Sequence, residues 1–312
     1  MQEGYNNIQK AYRKKFLELL AELEKNYDNN ITQKLKDRIS RIATDYSNVD
    51  GTISRKSIKA INQELDQLSS WLSSEVNDLL DDNITKSIEL SIEGQDQATR
   101  WYLNKLVEEN DSLRDVVNNA LNGTSKTESI LLSVRYGQGL IKEIRDQVWN
   151  NRWDDGKKLS NRVWDFKNNS YDMMKQTIEQ NINQGKSAVN FAKELQDKFE
   201  GTTRYQAMRL ARTETNQAYH RGQKMSDKES IIVKGTKWNL SSSHPTYPPS
   251  YEYNGYNEIC NYRAEANHHN MGAGVYPAGE TPFDHPNGLC YLTSVLYQKE
   301  ELINKLKGKY GD

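Results

Sequence analysis

Apolar residues recur three and four positions apart through most of the first 240 residues, the spacing that lines one face of an α-helix. The clearest stripe is Tyr5, Ile8, Tyr12, Phe16, Leu19, Leu20, Leu23 and Tyr27, which predicts a helix of about six turns. After an expected turn at Asn48 to Gly51, a second stripe begins near Ser54. It carries Ile58, Ile61, Leu65, Leu68, Leu72, Val76 and Leu79 at near-heptad spacing and predicts bundle or coiled-coil packing. A further helix is expected to start at Asp81-Asp82-Asn83 and to carry Ile84, Ile88, Ile92 and Trp101. Asn122-Gly123-Thr124-Ser125 reads as a break, and Gly137 and Gly139 interrupt the pattern. It resumes at Ile144, Val148, Leu159, Val163, Trp164, Met173, Met174, Ile178 and Ile182. Gln184-Gly185-Lys186-Ser187 ends one helix and supplies Ser187 as the N-cap of the next.

Beyond Ser230 the texture changes. Ile231-Ile232-Val233 predicts a strand, with Thr236-Lys237-Trp238-Asn239-Leu240 as its hairpin partner. All six prolines fall between Pro245 and Pro286, in a stretch rich in Ser, Gly, Asn and Tyr, so no proline breaks a helix upstream. A loop that long needs more than an apolar core to hold it. Regularity returns with a strand over 289–297 and a short charged helix over 299–307. The chain therefore reads as mainly α, with an elongated helical bundle followed by a small, loop-rich α+β module. Three segments are expected: a helical bundle over 1–125, further helices over 126–230, and a Cys/His module over 231–312.

Composition sharpens this picture. With 35% hydrophobic and 27% charged residues, amphipathic helices with one buried stripe fit better than a thick core, and packing against partners is expected. A net charge of -1 argues against a protein that coats nucleic acid by bulk electrostatics. No apolar run approaches the ~20 residues of a membrane span. Met1-Gln2-Glu3-Gly4 lacks a secretory layout, which points to synthesis and retention in the cytosol.

The irregular segment holds both cysteines and four of the five histidines: His244, Cys260, His268, His269, His285 and Cys290. In a reducing compartment, metal ligation or free thiols are favoured over a Cys260–Cys290 disulfide. A structural zinc held by His244, Cys260, His285 and Cys290 would cross-link the loop, although the spacing is that of no zinc finger. His268 and His269, being adjacent, point apart and read as loop imidazoles. The other constellation is the helix from Arg209 to Arg221, where Ala207, Ala211, Glu214 and Ala218 share one face. Burying that face obliges Glu214 to find a partner, expected to be an arginine or a backbone-rich loop of the C-terminal segment. Arg204, Arg209, Arg221 and Lys224, with Arg212, give the region a positive bias that could meet DNA phosphates or an acidic partner. An alternative reading is a metal-dependent nuclease using Glu214 with His244, His268, His269 or His285.

The run Leu210-Ala211-Arg212-Thr213-Glu214-Thr215 is followed by Ser242-Ser243-His244-Pro245, Glu258-Ile259-Cys260, Gly272-Ala273-Gly274-Val275-Tyr276-Pro277 and His285-Pro286-Asn287-Gly288-Leu289-Cys290. In order and rough spacing these motifs resemble the phage head-morphogenesis family, the phage Mu protein F-like minor head proteins. Upstream, Trp153-Asp154-Asp155-Gly156-Lys157-Lys158-Leu159-Ser160 with Arg162-Val163-Trp164 also resembles it, as does Gln184-Gly185-Lys186-Ser187. The likeness covers roughly residues 130 to 297, with Arg212, Thr213 and Glu214 at its most specific point. Members often end this segment His-Pro-x-Cys-x-Cys; here Gly288 stands where the first of those cysteines would be, and Glu258 where an aspartate is commoner. The resemblance implies a virion-head protein made in the host bacterial cytoplasm. Its implied partners are the portal and/or major capsid protein and packaged DNA, with no catalytic activity.

Overall fold

The computed structural model describes residues 1–153, 155–242, 244 and 252–311; Asp154, Ser243 and Pro245, named above within motifs, lie outside the described residues. The protein is mainly α-helical with one small antiparallel sheet. Helix α1 (Gln2–Asn26) follows the first stripe and passes through a π-helical turn (Tyr27–Thr32) into α2 (Gln33–Asp45), which buries Leu35, Ile39, Ile42 and Ala43. Helix α3 (Ile58–Glu109) runs for 52 residues. The break expected at Asp81-Asp82-Asn83 is absent, because Leu80, Ile84 and Ile88, all fully buried, carry one stripe straight through it. Then come α4 (Arg114–Asn122), α5 (Leu132–Tyr136), α6 (Gln138–Asn150), α7 (Leu159–Asn183), α8 (Ala188–Lys198) and α9 (Arg204–Glu229). Ser187 caps α8 as expected, accepting from Asn190 N–H. Gly123 and Gly137 end α4 and α5 at positive φ, whereas Gly139 lies inside α6.

After β1 (Val233–Asn239) the chain forms α10 (Ile259–Glu265), β2 (Val275–Pro277), β3 (Tyr291–Leu296) and α11 (Lys299–Tyr310). The sheet order is β2-β1-β3, with Thr236 paired to Tyr276 on one side and to Ser294 on the other. The expected hairpin between 231–233 and 236–240 is instead a single strand, irregular between Val233 and Gly235, whose paired residues lie 38 to 63 positions later along the chain.

The chain divides differently from the three consecutive segments 1–125, 126–230 and 231–312. One unit gathers Met1–Glu18, Ile84–Val148 and Thr215–Asp312; the other gathers Leu19–Asn83 and Trp149–Glu214. The cause is that α1, α3 and α9 each contribute residues to both, so the boundaries fall inside helices.

In the first unit, Tyr5, Leu103, Leu106, Leu113, Leu131, Ile232, Leu302 and Leu306 form a buried core. Gly4 and Gly94 let α1 and α3 approach closely: a Cβ on Gly94 would lie 2.8 Å from that of Tyr12, and one on Gly4 would overlap the Trp101 ring. Beside this core lies a polar one. Buried Asp227 accepts from Thr236 Oγ1 at 2.6 Å, Ser294 Oγ at 2.5 Å and Gln223 Nε2 at 3.2 Å, and also from Gln95 Nε2. Gln9 joins it, donating to Ser294 Oγ at 2.7 Å and accepting from Ser294 N–H at 3.0 Å, while Gln2 donates to Ser294 O and accepts from Leu296 N–H. These bonds fix α1 against β3.

In the second unit, Leu23, Ile31, Ile39, Ile61, Leu65, Leu72, Phe166, Met174, Ile178, Phe191 and Leu195 are buried. Arg204 grips Asp28 through two bonds of 2.6 and 2.8 Å, and Arg212 pairs with Glu24. Among the described residues no helix is long and apolar enough to cross a membrane.

Candidate metal centre

The two cysteines are placed by different elements. Cys260 sits in the first turn of α10, which starts where Glu258 folds its side chain back to accept from Asn261 N–H at 2.9 Å, an N-cap made by a carboxylate. Cys290 immediately precedes β3. Both are free thiols, 0% and 1% exposed, packed with Trp238, Tyr276 and Leu292 in an apolar cluster beside the sheet. Gly274 sets the distance between α10 and β2. Its φ is +66°, and a Cβ there would lie 2.3 Å from the Ala264 carbonyl. Gly274→Ala is therefore expected to cost about 2–4 kcal/mol, read from the midpoint of urea unfolding.

His244 and His285 each approach Cys260, in two different donor groups. One donor atom each from His244, Cys260 and Cys290 lie within 4.8 Å of one another, and so do donor atoms of Glu258, Cys260 and His285. Cys260 is common to both groups. His244 Nε2 is 3.0 Å from Glu258 Oε1, so the carboxylate that caps α10 also orients the imidazole. The Nδ1–H of His285 is donated to Pro286 O at 3.1 Å, which leaves the Nε2 lone pair for a ligand; a metal-binding histidine is commonly fixed by such a bond on its other nitrogen. The neighbouring Cys290 thiol and burial both push the Cys260 thiol up, so without a cation Cys260 stays protonated. Two buried thiols converging on an imidazole form a soft donor set suited to zinc.

Asp284 underpins the loop carrying two of these donors. It is buried, with its carboxyl raised by that burial, and it accepts from His285 N–H at 2.9 Å, Cys290 N–H at 3.0 Å and Asn216 Nδ2 at 3.3 Å. A Cβ at Gly288 would stand 2.4 Å from this carboxylate, so the inward-turned aspartate occupies the space that a side chain at 288 would need. His220 braces the loop from α9, its Nε2–H donating to Cys290 O at 2.9 Å. Burial holds its pKa at about 3, so the ring is neutral and stacks edge-on against Trp238.

The other sequence candidates lie elsewhere. His268 bonds to Tyr262 O and stacks on Tyr276, and His269 packs beside the same tyrosine; neither belongs to a donor group. Glu214 is 2% exposed on the same buried face as Ala207 and Ala211 and accepts from the Trp153 indole N–H at 3.0 Å. Thr213 bonds back to Arg209 O at 2.6 Å. Of the four basic residues, Arg204 is held by Asp28, and Arg221 and Lys224 flank the Phe283 ring, Lys224 also donating to Thr281 O; Arg209 is exposed.

Glu258, Asp284 and His220 have places here that the sequence alone does not assign. Glu258 and Asp284 carry a local signal, since each stands within two residues of a candidate ligand in a loop that must satisfy its own backbone. The C-terminal part thus carries a His/Cys/Glu group with the donor atoms to hold a metal ion. No protein-family model, curated protein or solved structure matches the chain.

Proposed function

We propose that this chain is a minor head structural protein of a tailed phage. In this reading it binds portal and/or major capsid protein during head assembly, packaging or ejection, with packaged DNA as a further contact through Arg209. The reading combines the resemblance of its motifs to the head-morphogenesis family with one observation of the fold. Residues from three of those motifs, His244, Cys260 and Cys290, come together although 46 positions separate the first from the last.

A zinc ion there would be held by Cys260 and Cys290 with His244, and with His285 as a fourth donor. It would supply a cross-link in place of a larger apolar core. The near-complete burial of both thiols suits a closed structural site more than an open catalytic one. A nuclease reading would need Glu214 beside the ion, and Glu214 is in neither donor group.

The experiment is co-expression with the neighbouring portal and capsid genes, followed by purification of procapsids. The chain is expected to copurify in a fixed, low ratio. Failure to bind any head component would sink the reading, and plasmid cleavage that is lost in Glu214→Ala would replace it with the nuclease.

A further inference from the structure

Arg13 is a cation that the sequence places on the buried stripe of α1, and it is 6% exposed. Its Nη1 donates to Asn216 Oδ1 at 2.9 Å and its Nη2 to Leu289 O at 2.8 Å. The guanidinium lies 4.5 Å from the Phe16 ring centre, 5.5 Å from that of Tyr219 and 6.0 Å from that of Tyr291. Both acceptors belong to the scaffold of the 284–290 loop. Leu289 is the residue before Cys290, and Asn216 donates to Gly288 O at 3.2 Å and to Asp284 Oδ2 at 3.3 Å. Asp284 Oδ2 in turn accepts from Cys290 N–H. An unbroken chain of short polar contacts thus joins α1 to the backbone that carries a proposed metal ligand.

A buried arginine needs compensating negative charge, and leaving it unpaired is costly. Metal binding replaces thiol protons with thiolates, so it places negative charge beside this guanidinium and pins the carbonyl that receives its second bond. We propose that Arg13 is a positioning residue that couples metal binding in the Cys/His cluster to the seating of α1 on the first unit. In this arrangement the ion acts as a latch for the N-terminal helix. The coupling rests on the cluster being a metal site and runs both ways, since whatever seats α1 must also favour the ion by the same factor.

The test uses the full chain and cobalt(II), whose thiolate charge-transfer absorption reports binding at Cys260 and Cys290. Amide hydrogen exchange of residues 5–18 is measured with and without cobalt, and cobalt affinity is compared between wild type and Arg13→Met. Expected are slower exchange of α1 in the cobalt form, roughly 10-fold or more weaker cobalt binding by Arg13→Met, and loss of the metal-dependent protection in that variant. Arg13→Lys, which keeps the charge but cannot make both bonds, should fall between. A role in folding alone would lower protection equally with and without cobalt. If wild type binds cobalt and α1 exchange does not change, the coupling is overturned and the metal site stands. If wild type shows no thiolate–cobalt absorption, the metal site fails and the coupling with it. The wild-type comparison does not depend on either variant folding.

Discussion

Asp227→Ala is expected to destabilise the protein by more than about 4 kcal/mol. Four donors from four side chains, Gln95, Gln223, Thr236 and Ser294, converge on this buried carboxylate, and each buried donor left unmet costs on the order of 1–3 kcal/mol. Asp227→Asn should be milder, because it keeps the volume and one acceptor. The same carboxyl makes stability depend on pH. Burial raises it from 3.8 to about 7, against the pull of the four donors. With the folded value above the unfolded one, the folded chain holds this proton across roughly pH 4 to 7 while the unfolded chain releases it. Its stabilising contribution is therefore complete below about pH 4 and lost as pH rises through 7, a fall of about 2 kcal/mol between pH 5 and 7. Denaturant titrations across that range should show the slope in wild type and a flattened one in Asp227→Asn. An unchanged slope would remove Asp227 as its source.

Cys260→Ser is expected to abolish metal binding outright, because Cys260 is the one residue common to both donor groups. Bound metal should fall from one equivalent to none by elemental analysis. With free metal near 1,000 times its dissociation constant, the variant or a chelator should strip about 4 kcal/mol from the apparent stability. His285→Ala, which leaves the His244, Cys260 and Cys290 group whole, should weaken binding without eliminating it. A full equivalent of metal retained by Cys260→Ser would show that the ion sits elsewhere.

Much of the architecture was legible from periodicity. The α1 stripe, the glycines at 123 and 137 and the Ser187 cap are local signals, read from residues a few positions apart. What failed was whatever depends on distant partners. The acidic run at 81–83 resembles a helix start, yet the apolar stripe on either side overrides it. The segment 231–240 resembles a hairpin because nothing local reveals that β2 and β3 will flank it. The cluster shows the same division. His244, Cys260, His285 and Cys290 stand out in the sequence as residue types rare elsewhere in the chain, whereas Arg13 lies in a polar helix 231 to 277 positions away. Its only trace is its place, with Gln9 and Phe16, on the face that the tyrosines and leucines bury.

The interleaving of the two units has a consequence for synthesis. Residues 1–18 dock against elements encoded beyond residue 215, so roughly 200 residues must be translated before the first helix can settle, on the order of 10–40 s at about 5–20 residues per second. Through that delay the nascent α1 exposes Phe16, whose partner ring Tyr219 has yet to be made, an apolar spot of the kind that chaperones or assembly partners capture. The ribosome itself thereby opens a window in which this protein can be claimed by something else before it closes on itself.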